Sequence, residues 1–497
     1  MSRSARTKPT SGAARTRTTR AQDTGGTAAS VQQVSVWEDD AESAVQVSRP
    51  LPDPSKSPLA YSFPGKAPAP GGKPGTASFR YWTAAEALRR GADFWAPRVP
   101  SGKWEVGDRL PVLLDEGVDL NAYYDRQALN FFHGPAPSAP SHVAYSGESP
   151  DVVCHEMGHA ILDAIKPQLW GAASHEAAAF HESFGDMSAI LSALQLQSLR
   201  SAILQDTGGN LYRNSRLSRL AEQLGSAIRA QQPDAVDPDC LRNAVNSLTY
   251  QDPITLPQMA PASQLSSEPH SFSRVFTGAF FEALAGMLHT KAANPASPTE
   301  QELLAVSQEM RDILVAGARQ APVVSNFYAQ VATGMVQASG SKNSAYPPIF
   351  KGVFVRRSIL SLHAATTVEA LQQSFAAAAI GPAEAAGPTE ALDTMALPAA
   401  HYGLDQPLLV ETPSQPRRIF AASAAADASS VDPASSVTAA RAFVDDLFRR
   451  GRVDYNGIGR PEARLEHGHR LRTHELVTEA GAVRLRRRLF DCGMRHR

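Results

Sequence analysis

DVVCHEMGHAILD, residues 151–163, decides how the rest of the chain is read. The run from Pro150 has helical apolar spacing, and Pro167 stops it. On a helix, His155 and His159 stand four residues apart and share one face. Two imidazole nitrogens can then reach one Zn²⁺, while Glu156, one position round, lies beside the ion where a general base would stand. The plainer alternative is an amphipathic helix that carries two histidines incidentally.

A catalytic zinc needs a third protein ligand and an open fourth position. The longer pattern HExxHxxGxxH fails, because Leu162 replaces its glycine and Ile165 its last histidine. A second helix is expected after Ser174, a suitable N-cap, running through HEAAAFHESFGDMSAILSALQLQ. Glu182 and Asp186 lie four apart on it. Glu182 can ligate, and Asp186 can accept a hydrogen bond from a ligating histidine's second N–H, which fixes the tautomer. Glu176 is a rival ligand without a helical partner carboxylate. His181 is either behind the ligands or exposed.

Outward from these helices the chain is 497 residues long, 43% apolar and carries a formal charge of −1, which points to neither nucleic acid nor membrane. Three cysteines, Cys154, Cys240 and Cys492, give no disulfide framework and fit a reducing compartment. No apolar run is long enough to span a bilayer. The basic start, MSRSARTKPTSGAARTRTTRAQ, lacks a secretory apolar core. Cytoplasm is therefore the expected compartment, with export by another route open.

The expected fold class is α+β. Residues 1–75 are Pro-, Gly-, Ser- and Thr-rich and are expected to be disordered. Residues 76–195 form an N-terminal lobe with a mixed sheet and the zinc helices. In it, FRYWTAAEALRRGADFW is a helix with capping-box spacing at Thr83 and Glu86. LPVLLDEG and VDLNAYYD are two strands around an Asp-Glu-Gly turn. Residues 196–384 form a helical lobe, 385–437 a linker, and 438–497 a small, solvated, Arg-rich β-module in which ELVTEAGAVRLRRRLF is a hairpin.

Together these residues resemble the thermolysin-like zinc metallopeptidases, the gluzincin group. DVVCHEMGHAILD resembles the family's zinc-helix block, and Glu182 to Asp186 its ExxxD pair. NAYYD at 121–125 matches the segment whose edge strand pairs with substrate, implying that Asn121 and the Ala122 carbonyl hold the peptide. RNAVNSLTYQDP at 242–253 matches the arginine segment, and His270 in EPHSFSRVF follows Arg242 by 28 residues, as the family requires. The resemblance implies that Arg242 holds the substrate carbonyl and His270 the oxyanion. It also implies that Val152 and Leu241 line a pocket for an apolar residue after the cut. The carboxylate that orients the histidine has Leu265 in its place, with Glu268 the available substitute. The loop Lys166–Ser174 is longer than the family's, and Trp170 is the nearest donor there to its missing tyrosine. SAILSALQLQSLRS holds no carboxylate, so no calcium site is expected.

The implied activity is a zinc endopeptidase acting on a peptide or protein substrate. His155, His159 and Glu182 would hold Zn²⁺, and Glu156 would be the general base. The alternative is a metallopeptidase fold, weak or inactive in catalysis, that binds a peptide or protein partner. An aminopeptidase would need a free-amine-binding segment before the zinc helix, and none is present. The Arg-rich end could touch nucleic acid, anionic lipid or a protein, although interspersed acids make nucleic acid a poor fit.

Overall fold

The structure, a computed structural model, describes residues 32–99, 102–137, 139, 142–362, 364–366, 391–414, 435–459 and 471–493. It is a mixed helix-and-strand fold with several small sheets. Strands β1 (Gln33–Trp37), β2 (Gln46–Pro50) and β3 (Tyr61–Ser62) precede helix α1 (Ala77–Trp95). Strands β4 (Leu110–Leu113), β5 (Ala122–Tyr124), β6 (Leu129–Phe131), β7 (His133–Pro135) and β8 (Val143–Tyr145) lead into α2 (Pro150–Ile165). Then come α3 (His175–Ala193), α4 (Gln197–Thr207), β9 (Arg219–Leu220), α5 (Glu222–Arg229) and β10 (Arg242–Asn243). Four long helices follow: α6 (Pro269–Lys291), α7 (Glu300–Gln320), α8 (Phe327–Lys342) and α9 (Pro347–Arg356). The last stretch holds β11 (Asp393–Leu397), β12 (Leu408–Thr412), α10 (Ser436–Arg449), β13 (Val453–Asp454), β14 (His474–Glu479), β15 (Ala482–Arg487) and β16 (Phe490–Asp491).

Helices α2 and α3 start where the sequence placed them. The Ser149 hydroxyl accepts from Val152 N–H, with Pro150 in the first turn, and the Ser174 hydroxyl accepts from Ala177 N–H. Both helices are buried almost throughout, which their long Ala-, Ile- and Leu-containing runs permit. Among the described residues no helix is long and apolar enough to cross a membrane.

Four expectations are corrected. Residues 33–62 carry three strands where disorder was expected; Val34 and Val36 point to one face against Trp82 and Ala85 of α1, and Trp37 packs on Phe79 of the same helix, so a short buried ribbon hides in a Ser- and Pro-rich composition. Residues 1–31 lie outside the described residues. Helix α1 is capped by Thr76, and Thr83 is buried in mid-helix. β4 and β5 are both strands, yet β6 lies between them: the sheet order is β16-β5-β6-β4-β3, with β4 parallel to β6. The supposed linker supplies β11 and β12, which pair antiparallel and extend the β15-β14-β13 sheet; residues 415–434 lie outside the described residues.

The hairpin β14–β15 forms as expected, its turn made by Ala480 and Gly481, both at positive φ. Its sheet is not a solvated appendage. Trp170 and Arg487 bond each other both ways: the indole N–H donates to the Arg487 carbonyl at 3.3 Å, and the guanidinium donates to the Trp170 carbonyl at 2.9 Å. Trp170 therefore faces the Arg-rich sheet and does not act as the expected loop donor. His175 and Asp446 meet at 2.7 Å, and Arg450 reaches Glu268 at 3.2 Å.

Candidate metal centre

Two glycines bring α2 and α3 into contact. A Cβ on Gly158 would lie 2.9 Å from the Gly185 Cα and 2.8 Å from the Ser188 Cβ. A Cβ on Gly185 would lie 2.6 Å from the His155 ring. The missing side chains let the helices approach until the α2 histidines meet the α3 carboxylates. Glu182 Oε2 then sits 3.4 Å from His155 Nε2 and 3.8 Å from His159 Nε2. Ligand atoms about 2.0–2.1 Å from a tetrahedral Zn²⁺ would be roughly 3.3–3.4 Å apart, so this spacing nearly matches a coordination shell.

These three atoms are buried and have no hydrogen-bond partner. Leaving a buried polar atom unsatisfied costs about 1–3 kcal/mol, and a cation bound by neutral imidazoles and a carboxylate removes that cost. His₂Glu is a donor set of the Zn²⁺ type. One atom from each of His155, Glu156 and His159 also falls within 4.8 Å of the others. Glu182, on the facing helix, reaches both imidazoles at 3.4 and 3.8 Å and so offers a third donor from α3, while Glu156 belongs to α2 with the histidines. Both Glu156 oxygens are buried without a hydrogen-bond partner. Burial pushes its carboxyl up to about 8.

The surrounding bonds fix the ligands' orientation. Asp186 Oδ1 lies 3.0 Å from His155 Nδ1, turning Nε2 towards Glu182. Arg242, placed by the β9–β10 pairing, forks onto Asp186 at 2.7–3.2 Å and leaves its buried Nη1 without a partner. Burial opposes charge on Asp186, yet Arg242 and His155 hold it well below the usual carboxylate range. Burial pulls His159 well below its usual value, keeping a neutral imidazole with a free lone pair. For His155, burial also opposes protonation but Asp186 and Glu182 prevail, raising it to about 9 in the metal-free cluster.

His270 joins from the first turn of α6. Its Nε2 is 3.3 Å from Glu182 Oε2 and bonds the Asp491 carbonyl, while Nδ1 meets Glu268 Oε1 at 2.8 Å. With acceptors at both nitrogens, the ring must carry two protons. Burial disfavours that charge, but Glu182 and Glu268 hold the imidazolium up to about 10. Glu268 thus orients the His270 ring, and also caps α6 through Ser271 N–H.

His155, Glu156, His159, Glu182, Asp186, Arg242, Glu268 and His270 meet in this neighbourhood; Val152 and Leu241 are buried, and the rival Glu176 binds Tyr250 Oη and Tyr328 N–H, each at 2.7 Å, in a structural role. His181 is fully buried, not exposed, and stacks on Phe490 at 4.0 Å between ring centres. Sequence reasoning placed Phe490 at the end of the hairpin and gave Asp491–Gly493 no role, whereas Phe490 and Asp491 form β16 beside β5. Phe490 also stacks on His159, at 5.1 Å and 17°. The Asn121 side-chain oxygen accepts from Gly493 N–H at 2.6 Å, and the Ala122 carbonyl from Cys492 N–H at 2.8 Å. The apolar pair Leu489 and Phe490, closing an Arg-rich run, was the one available signal. Compared with known protein families and with curated proteins, the chain matches none.

Proposed function

We propose that the chain is a zinc-dependent endopeptidase of the thermolysin-like type, with the metal helices in one lobe and the helices after residue 196 forming the other. The observation that carries this is the convergence of three unsatisfied buried ligand atoms from His155, His159 and Glu182, with the partnerless Glu156 carboxylate beside them. A zinc ion held there would supply Lewis acidity towards water and the scissile carbonyl.

The chain's own residues supply the remainder. An extended peptide adds to β5, its backbone held by the Ala122 carbonyl and the Asn121 side chain. Glu156 takes the proton of the attacking water on its carboxylate and delivers it to the departing amine. The uncommitted Arg242 Nη1 and the His270 imidazolium stabilise charge on the former carbonyl oxygen. Asp186 holds His155 and Arg242 in place at once.

Glu156→Gln tests the reading: it should retain zinc and lose cleavage of a quenched-peptide library. Equal cleavage by this variant would remove Glu156 from the role of base. The second reading, a peptide binder that does not cut, is favoured by the strand already paired with β5. One bound zinc with no turnover of any peptide would select it.

A further inference from the structure

In the sheet order, β5 would be an edge if β16 were not there. Phe490 pairs with Tyr124 and Asp491 with Tyr123, antiparallel. The ladder continues through Cys492 N–H to the Ala122 carbonyl and Gly493 N–H to the Asn121 side chain. The Asp491 carbonyl meets the His270 imidazolium. The next residue, Cys492, is buried with its thiol against the Glu156 carboxylate, outside hydrogen-bond geometry. These are the groups expected to grip a substrate: backbone acceptors along the strand, an oxyanion donor at one carbonyl, and the base beside the following residue.

We propose that Phe490–Gly493 is a resident substrate mimic that holds the site latent. This deepens the peptidase reading and rests on it. Phe490 is the anchor. Its ring is packed face-on against His159 and His181, edge-on to Trp170, and covered by the Arg487 guanidinium at 4.1 Å. Arg452 holds the Asp491 carboxylate at 3.2 Å, and the two-way bond between Arg487 and Trp170 ties the Arg-rich sheet to the loop before α3. The sheet thus presents the segment in register, and a peptide enters only when the segment leaves. Because the segment is tethered, its effective concentration is of millimolar order, well placed to compete with dilute substrate.

The test uses the full zinc-loaded chain, the Phe490→Ala variant, a quenched-peptide library and timed alkylation of Cys492 followed by mass spectrometry. Phe490→Ala should cleave peptides about tenfold faster than the parent, as expected when a site goes from about one-tenth to mostly available. Its Cys492 should alkylate correspondingly faster, while buried Cys154 stays protected in both. A peptide hydroxamate that occupies the cleft should expose Cys492 in the parent in the same way. The synthetic peptide RLFDCG, residues 488–493, should inhibit the variant in trans.

A parent as fast as Phe490→Ala overturns the inhibitory role and leaves the peptidase reading standing. Cleavage between Asp491 and Cys492 by the loaded chain also overturns it, since the segment would then be a substrate. A zinc-loaded Phe490→Ala chain with reactive Cys492 but no cleavage overturns the peptidase reading itself, and the inhibitory role with it. Should Phe490→Ala fail to fold, Asp491→Lys, which repels Arg452 and leaves the aromatic packing intact, carries the same readouts.

Discussion

Gly185→Ala should disable the metal centre while leaving the fold standing. The new methyl would lie 2.6 Å from His155 Cε1, 2.7 Å from Nδ1 and 2.8 Å from Nε2. Carbon contacts settle near about 3.5 Å, so the ring must retreat by about 0.9 Å. Metal–ligand distances tolerate only about 0.2 Å, and the same shift strains the His155–Asp186 bond. Disturbing only the groups behind the ligands costs about 10–100-fold in metal affinity; a displaced ligand should lose on the order of 100-fold or more. Stability should change much less. Alanine gains about 1 kcal/mol of helix propensity over glycine, offsetting part of the about 1–3 kcal/mol of overpacking. Zinc affinity by chelator competition, run beside thermal unfolding of the metal-free protein, separates the two effects. A Gly185→Ala chain that folds and binds zinc as tightly as the parent would refute the packing geometry given for α2 and α3.

Asp186→Asn should weaken zinc binding by about 10–100-fold, because His155 loses its orienting acceptor and Arg242 its counter-charge; unchanged chelator competition would contradict this. Burial raises Asp40 to about 6 despite bonds from Ser149, Glu42 and Gln223. Its proton is therefore held more tightly in the folded chain than in the unfolded one, whose carboxyl titrates near about 4. The stability it contributes is complete below that value and is lost as pH rises through about 6. Asp40→Asn does not titrate, so its Tm relative to the parent should improve between about pH 4.5 and 7.5. A constant gap would show that Asp40 does not titrate as its burial requires.

Local features of this protein were legible, and its long-range partnerships were not. The i,i+4 spacing of His155 with His159 and of Glu182 with Asp186, the helix start at Pro150 and the cap Ser174 lie within one or two helical turns. Spacing on a helix is enough to find them. The closeness of α2 and α3 depends on Gly158 meeting Gly185, each unremarkable in its own segment. The pairing of Phe490 with Tyr124 is harder still. A two-residue strand has no period, and an edge's partner is set by what the rest of the chain brings alongside. Composition misled at 33–62 and at 393–412, because strands of two to five residues bury too few apolar side chains to shift a Ser-, Pro- or Ala-rich average.

The most direct test of the metal centre is the zinc content of the purified full chain beside its Glu182→Ala and His159→Ala variants, determined by elemental mass spectrometry after dialysis against excess zinc. One zinc per chain in the parent and none in either variant is the expected result. A parent that retains no zinc, or variants that keep it undiminished, would contradict the coordination of one ion by His155, His159 and Glu182.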